Sequence, residues 1–125
     1  MSAEDNKAIV RDWLDARNAH DVEAAMKFWA VHRQNDIRDA FNGFTRTFPD
    51  LSITILDMIA EGDKVACLRE LHGTHLGSFG KISATGHKIS WRAMDLYTIT
   101  DEKISDIIRM GDNLDLLQQL GVSVS

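Results

Sequence analysis

Apolar residues in the first half of the chain recur every three or four positions, as they do on one face of a helix. Ile9 and Val10, followed by Trp13 and Leu14, predict a first helix over residues 3–18. The serine and the two acidic residues that precede this stripe are typical of a helix start.

Two further helices are expected before the chain changes character. Asp21 is a good N-cap for a short helix that runs through Trp29. Residues 31–33 then form a break, which could be a vestigial strand. Asn35 or Asp36 caps a third helix, which ends before the only proline of the chain.

In the second half, apolar and polar residues alternate, which is the pattern of strands. Residues 52–60 and 64–76 predict a hairpin that turns at Gly62. A loop over 77–86 contains three glycines and leads to a third strand over 88–99.

A tight turn, a last strand over 104–110 and a final helix over 114–120 complete the pattern. Asp112 caps this helix and Gly121 closes it. Helices followed by hairpin-linked antiparallel strands predict an α+β fold. A sheet that curves around packed helices can enclose a pocket lined by the inward faces of its strands.

One aspartate lies in an otherwise apolar row. Asp95 shares its face of the third strand with apolar and aromatic side chains only, namely Ile89, Trp91, Ala93, Tyr97 and Ile99. A carboxylate that faces a core is costly unless it is paired, hydrogen-bonded or neutral. Asp95 is therefore either a structural aspartate bound to a backbone N–H or an arginine, or an acid/base in a cavity.

The opposite face of the same strand is also apolar, because Met94 and Leu96 lie there. A strand that is apolar on both sides needs a covering partner. The simple expectation is a homodimer that forms through the sheet.

Composition narrows the class of protein. With 125 residues, 44% hydrophobic and 26% charged, the chain is expected to be one soluble domain over 1–125. Its net charge of −5 argues against nucleic-acid binding, and no apolar run approaches the roughly 20 residues of a membrane span.

The polar start lacks a signal peptide, so a cytoplasmic location is expected. The single cysteine, Cys67, excludes an internal disulfide and is expected to be buried.

Three groups of short motifs resemble the SnoaL-like polyketide cyclase family of the nuclear-transport-factor-2-like superfamily. Between about Leu51 and Gly121 they occur in the family's order and spacing: FPDL with ILDMIAEGDKV, then GTHLG, ATGHK and MDLY, then EKI with DNLDLLQQLG. The resemblance implies a cone-shaped α+β fold, with N-terminal helices packed on a curved, mostly antiparallel sheet and a short C-terminal helix. It also implies a homodimer with no metal and no organic cofactor.

The resemblance further implies a reaction. In characterised members, an aspartate in the cavity acts as acid/base in the intramolecular aldol ring closure of a polyketide ester. Asp95 matches that acidic position, and His75 matches the histidine of the Gly-Thr-His-x-Gly turn. An apolar pocket can raise the pKa of a carboxyl group towards neutrality, so that one group takes and returns the proton. The expected ligand is a small hydrophobic carbonyl compound.

The sequence departs from the family pattern in two places. Many relatives carry His-Trp in the last strand, where this chain has Ile107-Ile108, so a polar cavity contact is absent. The region between Trp29 and Asp36 is also shorter than usual, which implies either a more open pocket or a closer third helix.

Other candidates have both a functional and an ordinary interpretation. His75 could assist proton transfer or lie exposed in a turn. Tyr97 places a hydroxyl two residues along the face of Asp95. Trp91, Trp13, Trp29 and Phe41 could line a pocket for a flat ligand, although such residues more often form plain core.

The remaining acidic and histidine candidates are weaker. His72 and His75 point to opposite faces of a regular strand, so no metal site is expected. Asp57 could face inward, face the dimer partner or bind the backbone at a bulge.

Two further functions are alternatives to a cyclase. Limonene epoxide hydrolases share the superfold, but their Asp-Arg-Asp arrangement has no match, because Arg109 stands where an inward acid would be wanted. A non-catalytic ligand-binding or dimerisation module is favoured by Ile107-Ile108, since an apolar pocket suits binding better than proton chemistry.

Overall fold

The computed structural model describes residues 2–123 as four helices and one four-stranded sheet. The elements in chain order are α1 (Ala3–Asn18), α2 (Val22–Met26), α3 (Val31–Thr47), β1 (Ser52–Glu61), β2 (Lys64–Thr74), β3 (Lys88–Thr100), β4 (Lys103–Gly111) and α4 (Asn113–Gln119). No described helix has the length and apolar character needed to cross a membrane.

The sheet is antiparallel throughout and its strand order, β1-β2-β3-β4, follows the sequence. Burial alternates along β2 and β3, so every second side chain faces the helices. Register shifts occur between Ile55 and Asp57 and between Thr98 and Ile99, at positions where bulges bend strands. Helices on one face of a curved antiparallel sheet confirm the predicted α+β cone.

Several elements form where the sequence predicts them. Helix α1 has the predicted bounds, and Ser2 and Asp5 form a capping box at its start. Asp112 caps α4 by accepting a hydrogen bond from the backbone N–H of Asp115 at 3.1 Å. Cys67 is fully buried, as expected.

The predicted start of the third helix is wrong. Helix α2 ends at Met26, short of Trp29, and α3 begins at Val31 rather than at Asn35 or Asp36. Among residues 2–123, no side chain caps α3. Instead, Trp29 forms an isolated parallel bridge with Ile104, so the extended residue precedes the predicted break over 31–33.

Backbone hydrogen bonds explain this start. Ala30 donates to the carbonyl of Ile104 at 2.8 Å, and Ile104 donates to the carbonyl of Phe28 at 2.8 Å. These contacts fix the chain against β4, and the helix starts directly after them. The short connection therefore brings α3 close to the sheet.

The other edge strand, β1, is also met by a group from the helical layer. The side-chain amide of Asn18, at the end of α1, donates to the carbonyl of Ile53 at 2.9 Å. Its oxygen accepts from the Ile53 N–H at 2.7 Å. One amide side chain thus satisfies both backbone groups of one residue on β1.

The glycine-containing loop between β2 and β3 docks on the end of α3. The backbone N–H groups of Leu76 and Gly77 both donate to the carbonyl of Thr47 at 3.1 Å. The Thr47 hydroxyl donates to the carbonyl of Ser78 at 3.1 Å. A side chain at Gly77 would overlap the carbonyl of Arg46, so only glycine permits this close approach.

Candidate functional site

Asp95 is 0% exposed and lies in the middle of β3. Its Oδ2 is 2.6 Å from the Nε of Arg69, and its Oδ1 accepts a hydrogen bond from Arg69 Nη2 at 3.3 Å. The Nε–H of Arg69 is not directed along the shorter contact, which is therefore an ion pair rather than a hydrogen bond. The partner of the buried acid is an arginine.

Two more groups surround the same carboxylate. The Tyr97 hydroxyl donates to Oδ2 at 2.8 Å, and the Nε of Arg109 lies 3.5 Å from Oδ1. All of these partners are donors or cations, as an ionised carboxylate needs.

The sheet register brings these side chains together. Asp95 pairs with Cys67 of β2 and with Arg109 of β4. Arg69 and Tyr97 each lie two residues farther along their strands, so both share the inward face with Asp95. The cluster thus spans three strands.

Tyr97 links Asp95 to the helical layer. Its buried hydroxyl oxygen accepts a hydrogen bond from Trp13 Nε1 at 3.3 Å. Burial, and then the charge of Asp95, raise the pKa of the Tyr97 phenol above its ordinary value. Tyr97 is therefore a protonated donor at neutral pH.

Arg17 brings a further cation from α1. Its guanidinium lies 4.0 Å from the centre of the Phe41 ring and is only 4% exposed. Burial, and then the charges of Arg69 and Arg109, lower the pKa of Arg17 to about 10. Arg17 stays positively charged at neutral pH.

A cleft of about 330 Å³ opens above this cluster, between α1, α3 and β4. Its walls are mainly apolar and include four aromatic residues, Trp13, Trp29, Phe41 and Phe44. At its inner end, a space of about 20 Å³ is bounded by Arg17, Arg69, Tyr97 and Arg109, among others. Asp95 does not line the cleft but lies one layer behind these four side chains.

The structure brings together only some of the residues predicted from the sequence. Trp13, Trp29 and Phe41 line the cleft, and Tyr97 lines its inner end. Trp91 instead packs against Phe48, with ring centroids 5.2 Å apart.

His75 is fully buried, so its interpretation as an exposed turn residue is wrong. The loop folds back over it, because His75 donates its backbone N–H to the carbonyl of His87 at 2.9 Å. The Nδ1 of His75 accepts from the Thr85 N–H at 3.1 Å. The polar contacts of His75 lead into this loop and away from Asp95.

The weaker candidates have ordinary surroundings. Asp57 lies at the bulge of β1 and accepts from the Met58 N–H at 2.8 Å. His72 lies 3.1 Å from Glu70. Within residues 2–123, no three His, Cys, Asp or Glu side chains are grouped as a metal site requires. That the reaction needs neither metal nor organic cofactor stays a prediction.

The sequence interpretation overlooked two arginines, Arg69 and Arg17, as members of the site. Arg69 occupies an inward position between the apolar residues Cys67 and Leu71 of β2. Arg17 follows Trp13 and Leu14 at helical spacing on α1. A charged residue at an inward position of an otherwise apolar face is the signal that identified Asp95. The sequence shows the same signal at Arg69 and at Arg17.

Helices packed on a curved antiparallel sheet, with a buried acid beneath an aromatic cleft, define a cone of the nuclear-transport-factor-2-like class. The sequence model for the SnoaL-like polyketide cyclase family matches residues 7–120. The chain therefore belongs to the SnoaL-like polyketide cyclase family.

Solved structures have the same fold at low sequence identity. AclR of Streptomyces galilaeus, provisionally assigned as a hydroxylase, is 25% identical with a TM-score of 0.89, over 99% of this chain and 87% of AclR. TsrD of Streptomyces laurentii is 24% identical with a TM-score of 0.90, over 97% of this chain and 98% of TsrD.

IdmH of Streptomyces antibioticus, provisionally assigned as a polyketide cyclase, is 21% identical with a TM-score of 0.83, over 94% of this chain and 99% of IdmH. No curated protein matches the chain.

Proposed function

We propose that this protein is a cofactor-independent cyclase or isomerase that acts on a small hydrophobic carbonyl compound, with Asp95 as general acid/base. The observation that carries the proposal is a buried carboxylate directly behind an aromatic cleft, in contact with groups that line the inner end of that cleft. The family supplies the class of reaction, and the site supplies the residues.

The proposed reaction begins with a carbonyl group at the inner end of the cleft. Arg109 has the longest contact with Asp95 and a side chain that is 39% exposed, so it is the partner most free to move. If it turns towards the carbonyl oxygen, Asp95 Oδ1 becomes accessible to the neighbouring C–H. Asp95 takes that proton, and the guanidinium stabilises the enolate oxygen.

Ring closure then needs no further reagent. The enolate carbon bonds to a second carbonyl carbon, whose oxygen becomes an alkoxide. Asp95 returns its proton to that alkoxide, so the base is regenerated and the atoms balance. Return of the proton to a different carbon would give an isomerase instead. His75 has no role in this scheme, because its polar contacts lie elsewhere.

A non-catalytic ligand-binding module is the second candidate, and one observation favours it. Asp95 is already paired with Arg69 and Tyr97 and does not project into the cleft. A carboxylate that serves only to neutralise Arg69 would have the same surroundings. The provisional assignments of AclR and IdmH name different reactions, so the family alone does not choose between these functions.

Hydrogen exchange separates the two candidates. We expect the protein to accelerate deuterium exchange of the methyl protons of 2-acetylnaphthalene, a flat neutral ketone, as followed by NMR in D2O. The variant Asp95→Asn/Arg69→Gln keeps the pair neutral and should reduce the rate by roughly 100-fold or more. Binding of the ketone without any exchange by the wild type would favour the module. Equal exchange rates in a folded double variant would exclude Asp95 as the base.

We also propose that two copies associate through the outer face of the sheet. Leu96 and Ile108 lie opposite each other across β3 and β4, and so do Met94 and Met110. All four side chains are exposed, and Met110 is 75% exposed. An apolar face of this kind is compatible with isologous packing of two identical sheets.

A further inference from the structure

A buried guanidinium in the wall of the cleft has an unused donor group. Arg17 lies at both the cleft and its inner end. Its Nη2 makes one long hydrogen bond, 3.5 Å to the carbonyl of Phe41. Its Nη1 is buried and has no hydrogen-bond partner among residues 2–123. A buried charged donor without a partner is unfavourable, and a bound acceptor would relieve it.

The charges around the inner end are not balanced. Arg17, Arg69 and Arg109 line the inner end. One buried carboxylate, Asp95, contacts Arg69 and Arg109. The nearby Asp36 lies at the outer part of the cleft, where it pairs with Arg33 at 3.5 Å and its side chain is mostly exposed. Among the described residues that line the inner end, no carboxylate is available for Arg17.

The shape of the cleft adds a second requirement. Trp13 and Trp29 meet edge to face, with ring centroids 5.2 Å apart, and form one wall. Phe41 lies beneath the Arg17 guanidinium on another side. The buried Nε1 of Trp29 is a further donor without a partner in the part of the chain described. A flat aromatic ring fits such walls, and an acceptor group fits the free donors.

We propose that the ligand of this cleft is a flat aromatic carboxylate, whose carboxylate group binds to Arg17 and Arg109. A guanidinium offers paired N–H donors that match the two oxygens of a carboxylate. The anion would neutralise the excess positive charge, and Asp95 would stay paired with Arg69. The inference rests on the proposed function, because it names the substrate class of the same cleft.

Matched ligands test the anion site. We expect 2-naphthoate to bind at least tenfold more tightly than 2-naphthamide, a neutral ligand of the same shape, in fluorescence titrations at low salt. Raising the salt concentration should weaken the naphthoate complex and leave the naphthamide complex nearly unchanged. Naphthoate should also raise the melting temperature more than naphthamide does. Equal affinity of the wild type for both ligands would overturn the proposal.

Variants assign the preference to residues. Arg17→Gln should lower the affinity for naphthoate at least tenfold and change the affinity for naphthamide less than twofold. Arg11→Gln is the control, because Arg11 is exposed on the same helix. If Arg17→Gln does not fold, Arg109→Gln tests the same preference at a half-exposed position. A folded Arg17 or Arg109 variant that keeps the full preference for naphthoate would overturn the assignment.

A pair of ketones separates this inference from the proposed reaction. 3-Acetyl-2-naphthoate carries the carboxylate and the exchangeable methyl ketone on adjacent ring carbons, so that both groups reach the inner end of the cleft, and its methyl ester carries only the ketone. Tight binding of the acid without deuterium exchange would support the anion site and contradict the cyclase. Exchange on the ester, with no preference for the acid, would support the cyclase and contradict the anion site.

Discussion

At the scale of single residues, Arg69 and Asp95 place opposite charges in the core, and each has the other as its closest charged partner. Taking either charge out of water is costly, and the ion pair with its additional hydrogen bonds compensates for that cost. The pair therefore supports the fold whatever its part in the chemistry. For this reason Asp95→Asn alone is an ambiguous test of catalysis.

A double-mutant cycle measures this dependence. Asp95→Asn or Arg69→Gln alone should lower the free energy of unfolding by about 3–5 kcal/mol, because each removes the closest partner of the other buried charge. The double variant should be more stable than the sum of the two losses predicts, by about 2 kcal/mol. Urea unfolding at neutral pH gives the free energy of unfolding of the wild type, the two single variants and the double variant. Strictly additive losses would show that the two charges do not depend on each other.

Cys67, next to this cluster, predicts a particular alkaline behaviour. Burial, and then the charge of Asp95, raise the pKa of the Cys67 thiol from 9.0 to about 11. The thiol's contribution to stability is thus fully present below pH 9 and is lost as the pH rises from 9 through 11. Cys67→Ala should lower stability at pH 8 but flatten its decline between pH 8 and 10. Urea midpoints at three pH values give the slope of stability against pH for the wild type and for Cys67→Ala. Parallel slopes would contradict the raised pKa of Cys67.

At the scale of elements, the loop between β2 and β3 depends on the end of α3. The carbonyl of Thr47 accepts from two loop N–H groups, and the Thr47 hydroxyl returns a hydrogen bond to the loop. The close approach at Gly77 makes these bonds possible. The loop also covers His75, so the docking accounts for the burial of that residue.

Substitution at Gly77 tests the docking. Gly77→Ala should lower the free energy of unfolding by about 1–3 kcal/mol, because its methyl group would overlap the Arg46 carbonyl. Gly80→Ala is the matched control, since a methyl group there meets open space and only its φ of +57° opposes the change. That control should lose about 1 kcal/mol or less. A Gly77 variant no less stable than the Gly80 variant would contradict the tight docking.

The sequence predicts elements well where the signal is local. The bounds of α1 follow from its apolar period and its capping residues, and the first hairpin follows from its turn. The start of α3 was missed because the bridge between Trp29 and Ile104 fixes it, and 75 positions of sequence separate these two residues. Rules for helix starts use only neighbouring residues, so they cannot predict this contact.

In the site, too, the sequence predicts the features that depend on local periodicity and misses those that depend on long-range contacts. Periodicity alone places Asp95 and Tyr97 on one inward face. The pairing of Asp95 with Arg69 needs the register of β2 against β3, which a sequence pattern does not give. His75 was misjudged because glycines nearby favour a turn, whereas the loop beyond it folds back and covers the ring.

At the scale of the whole molecule, the two faces of the sheet have different roles. The inner face carries the charged cluster and the cleft, and the outer face carries exposed methionine, leucine and isoleucine side chains on β3 and β4. The proposed dimer would cover the outer face and leave the cleft accessible, because the cleft opens between helices on the other side.

A charge on the outer face should separate the subunits. The wild type is expected to sediment as a dimer, and Met110→Glu should raise the dissociation constant at least tenfold by burying an unpaired carboxylate. Val31→Glu is the control, because Val31 is 84% exposed at the start of α3 and is not part of the outer face of β3 and β4. Analytical ultracentrifugation over a range of concentrations gives both constants. A monomeric wild type would rule out this dimer.

The Asn18 side chain and the bridge at Ile104 affect how this protein can polymerise. An open sheet edge is a template on which further strands can add without limit. Here the Asn18 amide occupies the backbone groups of Ile53 on one edge strand, and residues 28–30 occupy those of Ile104 on the other. A further strand could pair with either edge at these positions only after the Asn18 amide or the backbone of residues 28–30 had been displaced. Growth into fibrils is thereby discouraged at both edges, while face-to-face pairing, which ends at two copies, stays open.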